Sequence, residues 1–161
     1  MVEMRNNIFS NFHTKLDDFL ALTPLALTFG LDWLGMKSLH NTKQKIILTG
    51  KAQLFLLATV YTLKHTVNSV RPDGSDSYSF PSHHTAQAFM GATYLSLEYK
   101  DKYPWIPYIG YTLASTVAIS RMANNSHYLS DVLVGAAIGI LATRISFWTQ
   151  KRDKPKFVTP I

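Results

Sequence analysis

Hydrophobic positions along this chain come in blocks. Five intervals, residues 19–31, 52–63, 77–97, 103–120 and 132–143, contain no Asp, Glu, Lys or Arg, and the charges collect in the gaps between them. A helix that crosses a membrane needs about 20 mostly apolar residues. The block 103–120 comes close to that without a single charge, and the others reach it by taking in a charged residue near an end, such as Lys51, Asp131 or Arg144. Ser, Pro, Asp, Gly and Asn fill the intervening stretches, where they favour turns and helix ends. The pattern predicts five helices, over about 17–36, 46–67, 83–99, 105–121 and 128–149, and therefore an all-α bundle.

Two environments could hold such a bundle. A soluble core would explain the uncharged helices and suits a mean hydropathy of +0.01. The distribution of basic residues favours the membrane. With helices alternating in direction, one side receives Lys37, Lys43, Lys45, Lys51, Lys100, Lys102, Lys151, Arg152, Lys154 and Lys156, ten of the sixteen Lys and Arg. The positive-inside rule makes that side cytoplasmic. The opposite side carries the amino-terminal stretch and the loops 68–82 and 121–127. Trp33, Tyr99, Tyr103, Trp105, Tyr128 and Trp148 near helix ends fit interfacial aromatic belts. Gly135 and Gly139 form a GxxxG pair that would let two helices approach closely. Residues 1–16 are polar, with no apolar run of the kind a cleavable signal carries. The stretch 8–20 reads as an interfacial amphipathic helix or a plain leading helix, and residues 150–161 as a basic cytoplasmic tail.

At 161 residues, with no composition break, the chain reads as one domain. Its 47% hydrophobic content against 16% charged excludes a disordered chain. Having no cysteine excludes a disulfide framework, a zinc knuckle, an iron–sulfur site and a thiol nucleophile. The net charge of +6 fits anionic lipid, a phosphorylated substrate or a membrane flank. A nucleic-acid surface is disfavoured, because basic residues here flank hydrophobic helices instead of interleaving with exposed aromatics.

The residues able to handle a phosphate gather in the loops opposite the basic side. Lys64 and Arg71, seven apart, fall on one face of a helix that Pro72 would end. Phe80-Pro81-Ser82-His83-His84-Thr85 precedes an uncharged helical run, with Ser82 in the N-cap position. Amides of residues 82–84 and the Ser82 hydroxyl would hold an oxyanion at that helix start, with His84 at its edge as a proton donor. Further on, Arg121 adds a cation, and His127 and Asp131 stand four apart, hence on one helical face. Asp131 accepting the Nδ1–H would leave Nε2 of His127 with an exposed lone pair, which a nucleophilic imidazole requires.

Lys64-x6-Arg71-Pro72, Pro81-Ser82-His83-His84 and Ser120-Arg121-x5-His127-x3-Asp131 resemble, in order and spacing, the three-part signature of the type 2 phosphatidic acid phosphatase superfamily, K-x6-R-P, P-S-G-H and S-R-x5-H-x3-D. One position departs: His83 stands where the family has glycine. The resemblance implies a phosphohydrolase without metal or other cofactor. In it His127 attacks phosphorus to give a phosphohistidine and Asp131 orients it. His84 protonates the leaving oxygen and then activates water. Lys64, Arg71, Ser82, His83 and Arg121 bind the phosphate. It implies further a small membrane-embedded lipid phosphatase in a bacterial inner membrane, with its site at the non-cytoplasmic helix ends, facing the periplasm or exterior. Phosphatidic acid, undecaprenyl diphosphate, phosphatidylglycerol phosphate and lipid A phosphates are the candidate substrates, and membrane lipids the surroundings. Two other readings stand beside it: a soluble-type acid phosphatase of the same superfamily, and a membrane protein that binds or transports a phospholipid without turnover.

Overall fold

The computed structural model describes residues 16–150, and within them every regular element is a helix. In chain order these are α1 (Leu16–Leu20), α2 (Thr23–Trp33), α3 (Thr42–Val67), α4 (His83–Tyr99), α5 (Ile106–Ala123) and α6 (Leu129–Trp148). Most of the expected leading segment and all but Gln150 of the basic tail lie outside the described residues.

The first expected helix is divided. Pro24, at the start of α2, has no N–H to donate back to α1, so the chain turns at residues 21–22 and starts again. α3 begins four residues before the expected position, because Asn41 caps it: its Oδ1 accepts from the Gln44 amide at 3.0 Å, and Gln44 Oε1 accepts from the Asn41 amide at 3.3 Å. That helix ends at Val67, where Asn68 takes a left-handed φ of 46°.

α4 is the hub, in contact with every other helix from α2 to α6. Its two neighbours lie close because glycines let them. A Cβ on Gly135 would meet the Ser82 carbonyl oxygen at 2.5 Å, and one on Gly139 would strike the Ala86 carbonyl and meet the Met90 amide nitrogen at 2.7 Å. The GxxxG pair therefore brings α6 backbone to backbone with α4. On the far flank a Cβ on Gly91 would meet the Leu25 amide nitrogen of α2 at 2.8 Å. Small alanines fill the rest: Ala52, Ala86 and Ala142 pack with Leu56, Met90 and Ile138 between α3, α4 and α6.

The outside is apolar where a soluble bundle would be polar. Leu54, Tyr61, Leu133 and Leu141 are each more than half exposed on α3 and α6, which among the described residues are the two helices long and apolar enough to cross a membrane. Burial inside a protein core does not account for their exposed apolar faces, which favours the membrane-embedded bundle over the soluble one.

Two residues expected at a membrane boundary are interior instead. Lys45 has no exposed surface; its ammonium donates to Asp32 at 2.6 Å and to the Thr28 carbonyl at 2.8 Å. Tyr99, expected in an aromatic belt, is 1% exposed and donates to Asp32 Oδ1 at 2.8 Å. A buried cation persists only with such partners. Trp33, Trp105 and Trp148 do project outward.

Candidate active site

Every expected site residue comes to one end of the bundle: the C-terminal ends of α3 and α5, the N-terminal ends of α4 and α6, and the two loops between them. The loops are fixed by hydrogen bonds rather than by bulk. Arg71 donates through Nε to Asp76 at 2.8 Å and through its guanidinium to the Ser126 carbonyl at 3.3 Å, which ties the loop after α3 to the loop before α6. The Lys64 ammonium donates to the Tyr78 carbonyl. The expectation that Lys64 and Arg71 share a helical face is corrected, since α3 stops at Val67; they meet because the loop folds back, with the Ser79 amide donating to the Ser69 carbonyl at 2.9 Å.

Ser82 is the N-cap of α4, as expected, but it is wholly buried and its hydroxyl is 2.9 Å from the Thr85 hydroxyl. Its amide donates to the Asp131 carbonyl at 3.0 Å. The Ser82 amide is thus spent on setting the start of α4 against the start of α6, while its hydroxyl, which can accept from Thr85, keeps a proton to donate. The amides of His83 and His84, in the first turn, remain as the anion-facing end of the helix. The His83 side chain turns inward and its Nε2 is buried without a hydrogen-bond partner.

α5 closes with Asn125 at φ 58°, a left-handed turn that Asn tolerates, and the Ser126 amide donates back to the Arg121 carbonyl at 3.1 Å. This swings His127 in beneath the three cations. His127 lies before α6 begins, so the expected helical i,i+4 pair is corrected: Asp131 occupies the first turn of α6, and its Oδ2 accepts from the Tyr128 amide at 2.9 Å and from the Ser79 hydroxyl at 2.5 Å. With that oxygen held by two donors, His127 Nδ1 lies 3.5 Å from it, an ion-pair distance without a hydrogen bond.

Burial first, and then the positive charge of Arg121, Arg71 and Lys64, hold His127 well below the ordinary histidine range, at about 3, against the pull of Asp131. Arg71 holds the Asp76 carboxyl below its usual range. For His127 the folded value lies below the unfolded one of 6.5. The unfolded chain then takes up a proton that the folded chain refuses, and stability falls as pH drops through that interval and is full above it. We expect the unfolding midpoint in detergent to fall between pH 6.5 and 4, and His127→Asn to flatten that slope; an unchanged slope would mean that His127 is not buried neutral.

Three neighbours were not legible in the sequence. Ser79 supports Asp131 from a loop position no motif marks, and Ser126 acts through its carbonyl, which any residue has. Asp18 on α1 lies 3.0 Å from His84 Nε2. The one signal for it is the acidic pair Asp17-Asp18 heading an otherwise apolar block.

Among the described residues no cluster of three or more His, Cys, Asp or Glu is placed to hold a metal ion. The site is instead a ring of cations around a buried neutral imidazole beside a carboxylate. Residues 46–155 match the family model described as the PAP2 superfamily. The chain belongs to the PAP2 superfamily. Within it the chain is similar to a lipid A 1-phosphatase of Porphyromonas gingivalis, 38% identical over 147 residues, which is 91% of this chain and 33% of that protein. A shorter stretch of 71 residues, 44% of this chain and 33% of the relative, is 38% identical to the bacitracin transport permease protein BcrC of Bacillus licheniformis. The chain thus spans about a third of the length of these curated relatives. The crystal structure of Aquifex aeolicus LpxE superposes with a TM-score of 0.66 at 28% identity, covering 91% of this chain and 94% of that one. The superfamily membership and this neighbour agree with the all-helical fold and with membrane association.

Proposed function

We propose that this protein removes phosphate from a membrane lipid phosphate through a phosphohistidine on His127, without a metal. The observation that carries the reading is the buried neutral His127 set beneath Lys64, Arg71 and Arg121. A site that only bound phosphate would need the cations but not a nucleophile with a carboxylate at 3.5 Å. That weighs against a binding or transport role.

The chemistry follows from the placement. The three cations and the first amides of α4 neutralise the equatorial oxygens of the transferring phosphoryl group, where charge must be stabilised. His83, in the first turn, contributes its amide there. Nε2 of His127 attacks phosphorus while the ester P–O bond breaks, and His84 gives a proton to the departing oxygen. Water then attacks the phosphohistidine, the P–N bond breaks and His84 takes the water's proton. Asp131 stabilises the imidazolium that forms; closing its 3.5 Å gap to a hydrogen bond takes a movement of about half an ångström, of the kind that substrate binding supplies. Because burial and the three cations hold His127 well below the ordinary histidine range, it is neutral and a competent nucleophile at physiological pH.

Among the candidate lipids, a lipid A type phosphate is favoured, since a lipid A 1-phosphatase matches 91% of this chain. The decisive experiment is phosphate release by purified protein in detergent across a panel of lipid phosphates. EDTA should leave turnover unchanged, and vanadate, which takes up the trigonal-bipyramidal geometry of the transfer, should inhibit competitively. Loss of activity on chelation that magnesium restores would sink the metal-free mechanism.

We further place the site on the outer side of the inner membrane, because exposed Lys37, Lys43, Lys51, Lys100 and Lys102 lie at the opposite end of the bundle. Single cysteines at Ser75 and Asn125 should react with an impermeant thiol reagent in intact cells, and one at Thr149 should not. The reverse labelling would put the site in the cytoplasm.

A further inference from the structure

Asp18 belongs to none of the three motifs. Its Oδ1 lies 3.0 Å from His84 Nε2 and 3.8 Å from the Arg121 guanidinium, so a carboxylate from the leading helix joins the first turn of α4 to the last turn of α5. Packing holds it there: three residues on, Ala21 is buried among Ala88 and Ala92 of α4 and Ala114 and Val117 of α5. The carboxylate itself is half exposed, at the rim of a groove of about 380 Å³ that also takes in His83, His84, Leu25 and Leu57. An ion pair this exposed adds little to stability. Its consequence falls on the state of His84.

We propose that Asp18 is the positioning residue for His84, an assignment that rests on the phosphohydrolase reading above. With the Asp18 carboxylate at ion-pair distance from Nε2, a proton on that nitrogen is favoured and Nδ1 is left to do the proton transfer. In the first step the P–N bond to His127 forms as the ester P–O bond breaks, and the proton on His84 Nδ1 goes to the departing oxygen. His84 is then neutral, with its remaining proton on Nε2 against Asp18 and its lone pair on Nδ1. In the second step the water oxygen bonds to phosphorus, the P–N bond breaks and one water proton returns to Nδ1. The site thus runs two histidines, each with its own carboxylate: His127 with Asp131 as nucleophile, His84 with Asp18 as acid and base. Among the described residues the charged and titratable groups facing His84 are Asp18 from α1, Arg121 from α5 and His83 beside it on α4, while α3 brings the neutral Gln53 to the groove. Arg121 opposes the imidazolium, and Asp18 offsets that opposition.

The test compares dodecyl phosphate, whose alkoxide must be protonated to leave, with p-nitrophenyl phosphate, whose phenolate leaves with little help. For Asp18→Asn, kcat/KM on dodecyl phosphate should fall about tenfold or more while that on p-nitrophenyl phosphate stays within about threefold. The alkaline limb of the dodecyl phosphate profile should move to lower pH, and Asp18→Glu should recover most of the loss. Because both substrates are read on one preparation, partial misfolding cannot mimic the split. Equal losses on both substrates with an unmoved pH profile would reduce Asp18 to a structural contact. A gain in kcat/KM would make it a plug in the site instead, and either result overturns the assignment. Wild-type protein that hydrolyses neither substrate would overturn the phosphohydrolase reading itself, which separates the two failures.

Discussion

Gly139→Ala is expected to lower the stability of the bundle by about 1–3 kcal/mol, the usual cost of forcing a methyl group into a packed interface. The added Cβ would strike the Ala86 carbonyl and crowd the Met90 amide, both backbone atoms of the hub helix α4. Neither can rotate out of the way as a side chain would, so α6 must move off α4 or bend. Gly50→Ala on α3 is the matched control, because a Cβ there meets nothing within 4 Å, and relief of the helical glycine penalty should make it neutral or stabilising by up to about 1 kcal/mol. Unfolding midpoints of the two variants in the same detergent decide the matter. Equal midpoints would mean that the close α4–α6 approach is absent.

His127→Ala should reduce turnover at least about a thousandfold on every lipid phosphate, because the nucleophile is removed and only binding and electrostatic stabilisation remain. Leaving-group quality should not rescue it, in contrast to the selective loss expected from changes that act through His84. The fold should survive, since the loops around His127 are held by backbone and arginine bonds that do not use its ring: Arg71 to the Ser126 carbonyl, the Ser126 amide to the Arg121 carbonyl and the Tyr128 amide to Asp131. An active His127→Ala protein would end the nucleophile assignment.

The helices were readable because uncharged blocks and turn residues alternate plainly, and α4 begins and ends where the block and its Ser82 cap say it should. What the pattern missed was local. It carried the first helix across Pro24, and it overlooked the Asn41–Gln44 box that starts α3 early. Lys45 and Tyr99 were misplaced for another reason: a periodic pattern scores a residue by type, and only the fold shows that Asp32 is within reach of both. At the site, spacing picked out residues that the fold gathers at one end of the bundle, and misread their geometry. Lys64 and Arg71 are joined by a folded loop, not a helix, and His127 precedes α6 while Asp131 lies inside it. Ser82 caps α4 as its position says, and its amide also anchors that helix to α6, which no spacing shows. Asp18 was invisible because an acidic residue in a leading segment carries no spacing that ties it to a histidine 66 positions on; the structure supplies the tie at 3.0 Å.

The proposed reaction turns on a covalent phosphate on His127, and trapping that intermediate tests it directly. Wild-type protein should be mixed with a radiolabelled lipid phosphate in detergent, quenched within the first turnover, and its peptides mapped for label that is lost in acid and kept in base, as a phosphohistidine is. Label is expected on the peptide containing His127 and none in the His127→Ala protein. Label on the His84 peptide, or steady turnover by wild-type protein with no label at any quench time, would contradict it.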